Sequence, residues 1–191
     1  MAMTVDKETA LSSLRSGRIH LRILARTDIP KTTAWINSDR ISDIMGYLPV
    51  MSLEQQYEWY DRLKNDRTRY IFAICRNDDD VHIGNVALGN VDMVNRHGMF
   101  SIFLAEGSDR SKGLGTEATR LLLGFAFDRL NLNKVYLRTS VRFEQAIRMY
   151  EKLGFKHEGT MRDHSYSNGV YEEKLIYSIL RSEFDTTKSR P

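Results

Sequence analysis

The 191-residue sequence has a single cysteine, Cys75, and only three prolines. One cysteine excludes an intrachain disulfide and a zinc site built from several cysteines. The sequence also lacks an uninterrupted apolar run of about 18 residues, the length that a membrane-spanning helix needs. Residues 1–18 are polar and charged, without the apolar segment of a secretory signal peptide. These absences predict a cytoplasmic protein that is not embedded in a membrane.

An excess of charge of one sign is lacking as well, because 28 basic residues oppose 25 acidic ones and leave a net charge of +3 with neutral histidines. The charges are mixed along the chain, and no basic stripe indicates nucleic-acid binding. The acidic run at 78–80 is typical of a solvated hairpin turn rather than a metal site. Hydrophobic residues make up 41% of the sequence, enough for one well-cored domain. We expect this domain at 18–184, between a flexible N-terminal arm at 1–17 and a polar tail at 185–191.

The most informative stretch is Arg110-Ser-Lys-Gly-Leu-Gly115. A strand pattern at 99–104 precedes it, and a helical recurrence of apolar residues at 116–130 follows it. Two glycines two positions apart let backbone N–H groups at the helix start approach an anion, which the helix dipole also favours. Arg110 and Lys112 add positive charge. The stretch therefore indicates a phosphate-binding loop, with a plain solvated turn as the alternative.

Three types of phosphate loop have to be compared. A nucleoside-triphosphatase loop needs four residues between its glycines and a Gly-Lys-Ser/Thr ending, which are absent here. Residues 113–118 fit the dinucleotide pattern G-x-G-x-x-A, but an NAD site needs an acidic residue about 20 positions on, where this chain has Arg138 and Arg142. A dinucleotide oxidoreductase thus stays a minor alternative. The third pattern, Arg/Gln-x-x-Gly-x-Gly/Ala, belongs to the GCN5-related N-acetyltransferase superfamily, and residues 110–115 resemble it at every defined position.

A second signature supports this resemblance. Residues 146–155, Ala-Ile-Arg-Met-Tyr-Glu-Lys-Leu-Gly-Phe, resemble the superfamily pattern A-I-x-x-Y-E-K-x-G-F, and weaker similarity extends from Arg18 to about Phe184. The sequence is similar to the ribosomal-protein-alanine acetyltransferase-like branch, which also includes polyamine and amino-sugar acetyltransferases. The resemblance implies an α/β fold with a mixed, mostly antiparallel central sheet flanked by helices. It also implies acetyl-CoA as cosubstrate, a primary amine as acceptor and a homodimer as a common assembly.

The resemblance assigns roles to particular residues. The strand before the loop is expected to splay from its neighbour, so that its last residues bind the pantetheine arm and polarise the thioester. Tyr150 corresponds to the superfamily's general acid, with a plain core residue as the alternative. The implied cofactor contacts are Phe103, Leu104, Arg110, Ser111, Lys112, Gly113, Leu114, Gly115, Thr116 and Phe143.

Two departures from the superfamily pattern bear on the chemistry. Phe143 stands where an asparagine commonly contacts the cofactor, and Met99 stands where relatives often place a glutamate base. Because methionine cannot take a proton, the site should prefer an amine of low pKa, which favours a peptide N-terminus or an amino sugar over a polyamine. Glu106, His97 or an ordered water could supply the base instead. A non-catalytic acyl-CoA-binding module is the alternative that both departures favour.

Acceptor-binding residues are expected between two aromatic helices near the N-terminus. The second helix opens at Ser52-Leu-Glu-Gln55, which has the spacing of a capping box. In the resembled superfamily the segment between these helices lines the acceptor pocket, so Asn37, Tyr47 and Trp59 are candidate substrate residues, and core packing is the alternative. His97 is a further candidate, although a single loop histidine is more often an ordinary surface residue.

Overall fold

The computed structural model describes residues 14–45, 50–105, 113–167 and 169–184. Within these ranges it contains seven strands and five α-helices of seven or more residues. The strands are β1 (Ile19–Ile23), β2 (Tyr70–Arg76), β3 (His82–Asp92), β4 (His97–Leu104), β5 (Lys134–Ser140), β6 (Lys156–Ser167) and β7 (Val170–Leu180). The helices are α1 (Ile29–Ile36), α2 (Asp39–Met45), α3 (Leu53–Leu63), α4 (Leu114–Gly124) and α5 (Glu144–Lys152). In the described ranges, no helix is long and apolar enough to span a membrane.

The strands form one sheet in the order β1-β2-β3-β4-β5-β7-β6. Every neighbouring pair is antiparallel except β4 and β5, which are parallel. A parallel pair needs a long crossover connection, and here that connection carries α4. The mixed, mostly antiparallel sheet flanked by helices confirms the predicted fold class.

Side chains of each strand alternate between the two faces of the sheet. On one face, Phe100 of β4 packs in the main hydrophobic core with Leu121 and Leu122 of α4. On the other face, Phe103 packs in a smaller cluster with Ile36 of α1 and Ile41 of α2. The sheet thus separates a face covered by α4 and α5 from a face covered by α1, α2 and α3.

Three features of the described residues differ from the sequence expectation. The helix predicted at 116–130 begins earlier, at Leu114, because Gly113 takes the N-cap position, and it ends in a π-helical turn at Phe125–Arg129. Helix α2 was not predicted. Leu14 is buried in the main core and Arg15 bridges to His20, so residues 14–17 of the predicted arm pack against the domain. Residues 1–13 lie outside the described ranges.

A partly buried ion pair fixes the chain between β1 and α1. Asp28 accepts hydrogen bonds from Arg22 at 2.6 and 2.8 Å and from the Ala25 N–H at 2.8 Å. Burial alone would raise the pKa of Asp28, but these hydrogen bonds outweigh it and hold the pKa below its ordinary value. His82 lies 3.5 Å from the same carboxylate. The ionised form of Asp28 therefore stabilises the fold.

We expect Asp28→Ala to lower the free energy of unfolding by about 2 kcal/mol, because it leaves Arg22 partly buried without a counter-charge. Asp61→Ala is the matched control, since Asp61 pairs with Arg26 at 2.9 Å but both side chains are about half exposed; it should change stability little. Urea unfolding at pH 7 measures both. The difference should shrink as the pH falls below about 4, where the unfolded carboxyl takes up a proton. Equal losses in the two variants would contradict this account.

Candidate active site

Strands β4 and β5 form a fork. They pair over only three residues, and the last pair joins Met99 to Tyr136. Beyond that point β4 continues to Leu104 and β5 continues to Ser140, with no pairing between them. The gap opens into a cleft of about 1460 Å³. The splayed strands implied by the resemblance are therefore present.

The direction of backbone groups along β4 decides which residues can bind a ligand in the gap. The Ala105 N–H donates to the Ile83 carbonyl of β3 at 2.9 Å. Because consecutive residues of an antiparallel strand point their backbone groups in opposite directions, Phe103 also points toward β3, whereas Leu104 points into the gap. The Leu104 carbonyl accepts a hydrogen bond from Arg40 at 3.2 Å. Leu104 thus offers backbone groups to the cleft, and Phe103 contributes its side chain to the lining.

The N-terminus of α4 borders the same cleft. Gly113 has φ +81° at the N-cap, a left-handed conformation that favours glycine. Gly115 and Thr116 line the cleft, while the Leu114 side chain is buried in the core. The first N–H groups of a helix have no intrahelical partners, so this end can bind an anion. The other predicted loop residues, Arg110, Ser111 and Lys112, lie outside the described ranges.

Tyr150 of α5 lies between the core and the cleft. Its side chain lines the cleft, and its ring packs edge-on against Phe100 at 6.0 Å and near Phe155 at 5.7 Å. Gly154, two residues after the end of α5, has φ +97°, and the Phe155 N–H donates to the Tyr150 carbonyl at 3.0 Å. Burial raises the pKa of Tyr150 to about 12. The phenol is therefore neutral at pH 7 and can donate a proton.

Met99 lies at the apex of the fork, beside a guanidinium. The Nη2 of Arg138 is 3.6 Å from the Met99 sulfur, and its Nη1 is 3.2 Å from Nε2 of His164. All three side chains line the cleft. At the position where relatives often carry a glutamate base, this chain thus has a thioether, and a cation lies next to it.

Phe143 occupies the N-cap position of α5 and lines the cleft. The Arg142 guanidinium covers its ring at 4.7 Å. Arg142 also binds both carboxylate oxygens of Asp43 in α2, at 2.6 and 2.8 Å, and lies 3.2 Å from Glu172 in β7. We call the contacts of Arg142 with Asp43 and Glu172 the Arg142 bridge. Through Asp43 the bridge joins the end of β5 to α2, which packs on β4.

The structure brings some of the predicted substrate residues to the cleft and places others away from it. Trp59 lines the cleft. Asn37 holds the backbone of Met51 through two hydrogen bonds, at 2.9 and 3.0 Å, and is not part of the lining. His97 lies at the start of β4 with its ring against Tyr136 at 5.8 Å, and the fold does not bring it to the cleft. Tyr47 and the alternative base Glu106 lie outside the described ranges.

Several polar residues of the cleft were not predicted as functional. They are Arg40, Arg69, Asn85, Arg138, Arg148, His164 and Lys174. Arg138 was considered only as a mismatch to the dinucleotide pattern. Strand alternation places Arg138 on the same face as Tyr136. Its proximity to Met99 depends on the pairing of β5 with β4, which cannot be predicted from the residues adjacent in sequence.

Comparisons with known proteins agree with this geometry. The model of the acetyltransferase (GNAT) domain matches residues 18–156. The spermidine N(1)-acetyltransferase of Escherichia coli (strain K12) is 28% identical over 167 residues, covering 87% of this chain and 88% of that protein. YdaF of Bacillus subtilis, provisionally named a ribosomal N-acetyltransferase, is 35% identical over 105 residues, covering 55% of this chain and 57% of YdaF.

A solved structure extends the likeness to the whole fold. The crystal structure of spermidine N-acetyltransferase from Vibrio cholerae in complex with CoA and spermine matches with a TM-score of 0.84 and 26% identity, covering 88% of this chain and 98% of that chain. The chain belongs to the GNAT acetyltransferase family. It is an acetyl-CoA-dependent N-acetyltransferase. Within the family, the ribosomal-protein-alanine branch has weaker support than the spermidine acetyltransferases.

The two loop glycines allow a matched test of the cofactor site. A Cβ on Gly115 would lie 3.6 Å from the Met149 sulfur and 3.9 Å from a Leu104 methyl, which are ordinary contacts, so Gly115→Ala should leave the melting temperature nearly unchanged. We expect it to weaken coenzyme A binding, because the added methyl keeps the ligand from the backbone. Gly113→Ala should also lower stability by about 1 kcal/mol through its left-handed φ.

Calorimetric titration with coenzyme A and thermal unfolding of both variants measure these effects. Coenzyme A affinity in Gly115→Ala equal to that of the unmodified protein would show that the ligand does not approach this backbone.

Proposed function

We propose that this enzyme acetylates the primary amine of a small acceptor in the cleft between β4 and β5. One observation carries the proposal: the fork brings a helix N-terminus, free strand backbone and a neutral buried tyrosine to one cavity. The first two fit a phosphate-bearing, amide-containing cosubstrate, and the third fits the departure of a thiolate.

Acetyl-CoA supplies an activated acetyl thioester when it is bound. The N-terminus of α4 would hold its phosphates, and the backbone of Leu104 would pair with its pantetheine arm. The residues found in the cleft fit this cosubstrate, since Gly113, Gly115 and Thr116 present a helix start with little side-chain bulk. Both sets of groups are fixed by the fold before the ligand arrives, which reduces the cost of orienting it.

Tyr150 is the proposed general acid. Its raised pKa keeps the phenol protonated at neutral pH, so it can donate its proton to the sulfur as the C–S bond breaks and the C–N bond forms. The attacking nitrogen then releases one proton to water, and water returns a proton to the phenolate. The packing of its ring against Phe100 and Phe155 fixes the direction of the hydroxyl. The same packing also gives the residue a structural role, so a test has to separate stability from turnover.

Two observations bear on the class of acceptor, and they favour different amines. The names of the relatives favour a polyamine, because the E. coli and V. cholerae proteins are spermidine acetyltransferases. Met99 favours an amine of lower pKa, such as a peptide N-terminus or an amino sugar, since it cannot act as a base. The comparisons support the polyamine more strongly than the two acceptors that the sequence favoured.

We also propose that several copies of this chain assemble. Another structure of the V. cholerae relative is described as dodecameric. This supports an assembly of several copies, without favouring the homodimer that is common among similar proteins. Light scattering of the purified protein measures the number of copies directly.

We expect Tyr150→Phe to lower kcat about 100-fold with little change in coenzyme A affinity, because the ring remains and only the proton donor is lost. Tyr177→Phe is the matched control, since it removes a hydroxyl that bonds Glu151 at 3.1 Å on the same helix but does not line the cleft. Thiol release and calorimetry provide the two readouts. Unchanged turnover in Tyr150→Phe would mean that the thiolate leaves without this acid.

The pH dependence of kcat/KM should report the free amine rather than an enzyme base. The acid limb should follow the acceptor's own pKa, near 8 for an α-amino group and about 10.4 for an alkyl amine, with rate rising tenfold per pH unit below it. Tyr150 should add no alkaline limb below about pH 11 in the free enzyme, because its pKa lies at about 12. A separate limb near pH 6, independent of the acceptor, would reveal an enzyme base and contradict this expectation.

A further inference from the structure

The charged side chains that line the cleft are mostly cationic. Among the described residues of the lining, the only carboxylate is Glu144. Glu144 is already paired with Arg148 at 3.1 Å, one turn along α5. The cations of the lining are Arg40, Arg69, Arg138, Arg142, Arg148 and Lys174. The described lining therefore offers no unpaired carboxylate to a polycationic acceptor.

Most of these cations are occupied by neighbouring groups. The Arg142 bridge neutralises one of them with Asp43 and Glu172. Arg69 lies 3.3 Å from Asp66. Arg40 donates to the carbonyls of Leu104 and Ala105, as described for β4. Arg148 is paired with Glu144, so Arg138 and Lys174 are the two cations of the described lining that these contacts do not involve.

Arg138 and Lys174 have no carboxylate partner within the described ranges. In the described ranges Arg138 contacts the Met99 sulfur and the His164 ring, and neither group carries a negative charge. Lys174 makes no ion pair there, and burial lowers its pKa despite the opposing charge of nearby Glu172. Glu172 itself binds Arg142 and the Ser140 hydroxyl. Two cations are thus available to a ligand.

The pairing of β5 with β7 brings these two cations together. Arg138 is opposite Ile176, and Ser140 is opposite Lys174. Arg138 and Lys174 are therefore diagonal neighbours on one face of an antiparallel pair, where such positions lie about 7–8 Å apart. That separation lets two long side chains converge on a single oxyanion group.

This pair lies on the face of the sheet that α1, α2 and α3 cover. Arg138 alternates with Leu137, which is buried in the main core beneath α4 and α5. Arg138 therefore points to the opposite face, together with Met99 at the apex of the fork. The phosphates of the cosubstrate would bind at the N-terminus of α4, at the far end of β4. The pair is thus separate from the proposed phosphate site.

We propose that the acceptor amine carries an oxyanion group, a carboxylate or a phosphate, that binds to Arg138 and Lys174. The inference rests on the proposed transferase function and selects among its acceptors. A polyamine would bring two or more positive charges to a described lining that has cations and no free carboxylate, and like charges repel, although solvent at the exposed Arg138 screens part of this repulsion. An anionic amine instead gains charge-assisted hydrogen bonds at the same place.

Matched acceptor pairs test the inference with the purified full chain and saturating acetyl-CoA. Glucosamine 6-phosphate against glucosamine tests the phosphate, and glycylglycine against glycylglycinamide tests the carboxylate; spermidine is the polyamine arm. We expect kcat/KM to be about tenfold higher or more for the anionic member of at least one pair, and lowest for spermidine.

Variants connect that preference to the two residues. Arg138→Gln and Lys174→Gln should each reduce the ratio within the preferred pair toward one, mainly through KM of the anionic member, and Lys174→Arg should retain it. Arg138→Glu should raise the rate with spermidine relative to the anionic acceptor. Arg69→Gln, which changes a lining arginine already paired with Asp66, is the matched control and should keep the ratio.

The possible results separate the inference from the proposed function. The highest kcat/KM for spermidine, or equal values within both pairs, would overturn the inference and leave the transferase function standing. A preference for the anionic acceptor that survives in both glutamine variants would overturn the assignment to Arg138 and Lys174. Binding of acetyl-CoA in calorimetry without transfer to any of the five amines would overturn the function and the inference together.

Discussion

The end of hydrogen bonding between β4 and β5 is the constraint on which the rest of the site depends. A strand that stops pairing leaves backbone groups that need other partners. Here the Arg40 side chain donates to the Leu104 carbonyl, Phe103 of β4 packs under α1 and α2, and Phe100 of β4 and Leu137 of β5 both pack in the main core under α4 and α5. The cleft is thus maintained by packing on both faces, and a ligand completes what the sheet leaves unpaired.

The cleft follows the family pattern in some parts and departs from it in others. The elements proposed to hold acetyl-CoA keep the loop glycines, the splayed strand and the tyrosine, but Phe143 replaces the common asparagine. The proposed acceptor part also departs from the pattern, with a methionine at the apex and Arg138 beside it. Fold and reaction class follow from the splayed strands and the match to the GNAT domain. The proposed choice of acceptor depends on Met99, Arg138 and the residues around them.

Local sequence patterns predicted the elements well and the site incompletely. The strand expected at 99–104 lies within β4, and Ser52 and Gln55 form the expected capping box, because such signals depend on neighbours in sequence. The choice between Phe103 and Leu104 as backbone donor depends on register against β3, which no local pattern specifies. The proximity of Arg138 to Met99 likewise arises from a parallel pairing between distant segments.

The Arg142 bridge turns the fork from an open slot into a closed ring. Its perimeter runs from the apex along β4 to α2, across Asp43 to Arg142, and back along β5. The distance between the two strands at their open end is therefore set by side-chain contacts across the gap as well as by the backbone pairing at Met99, so removing Asp43 should let the far end of β5 move relative to α2.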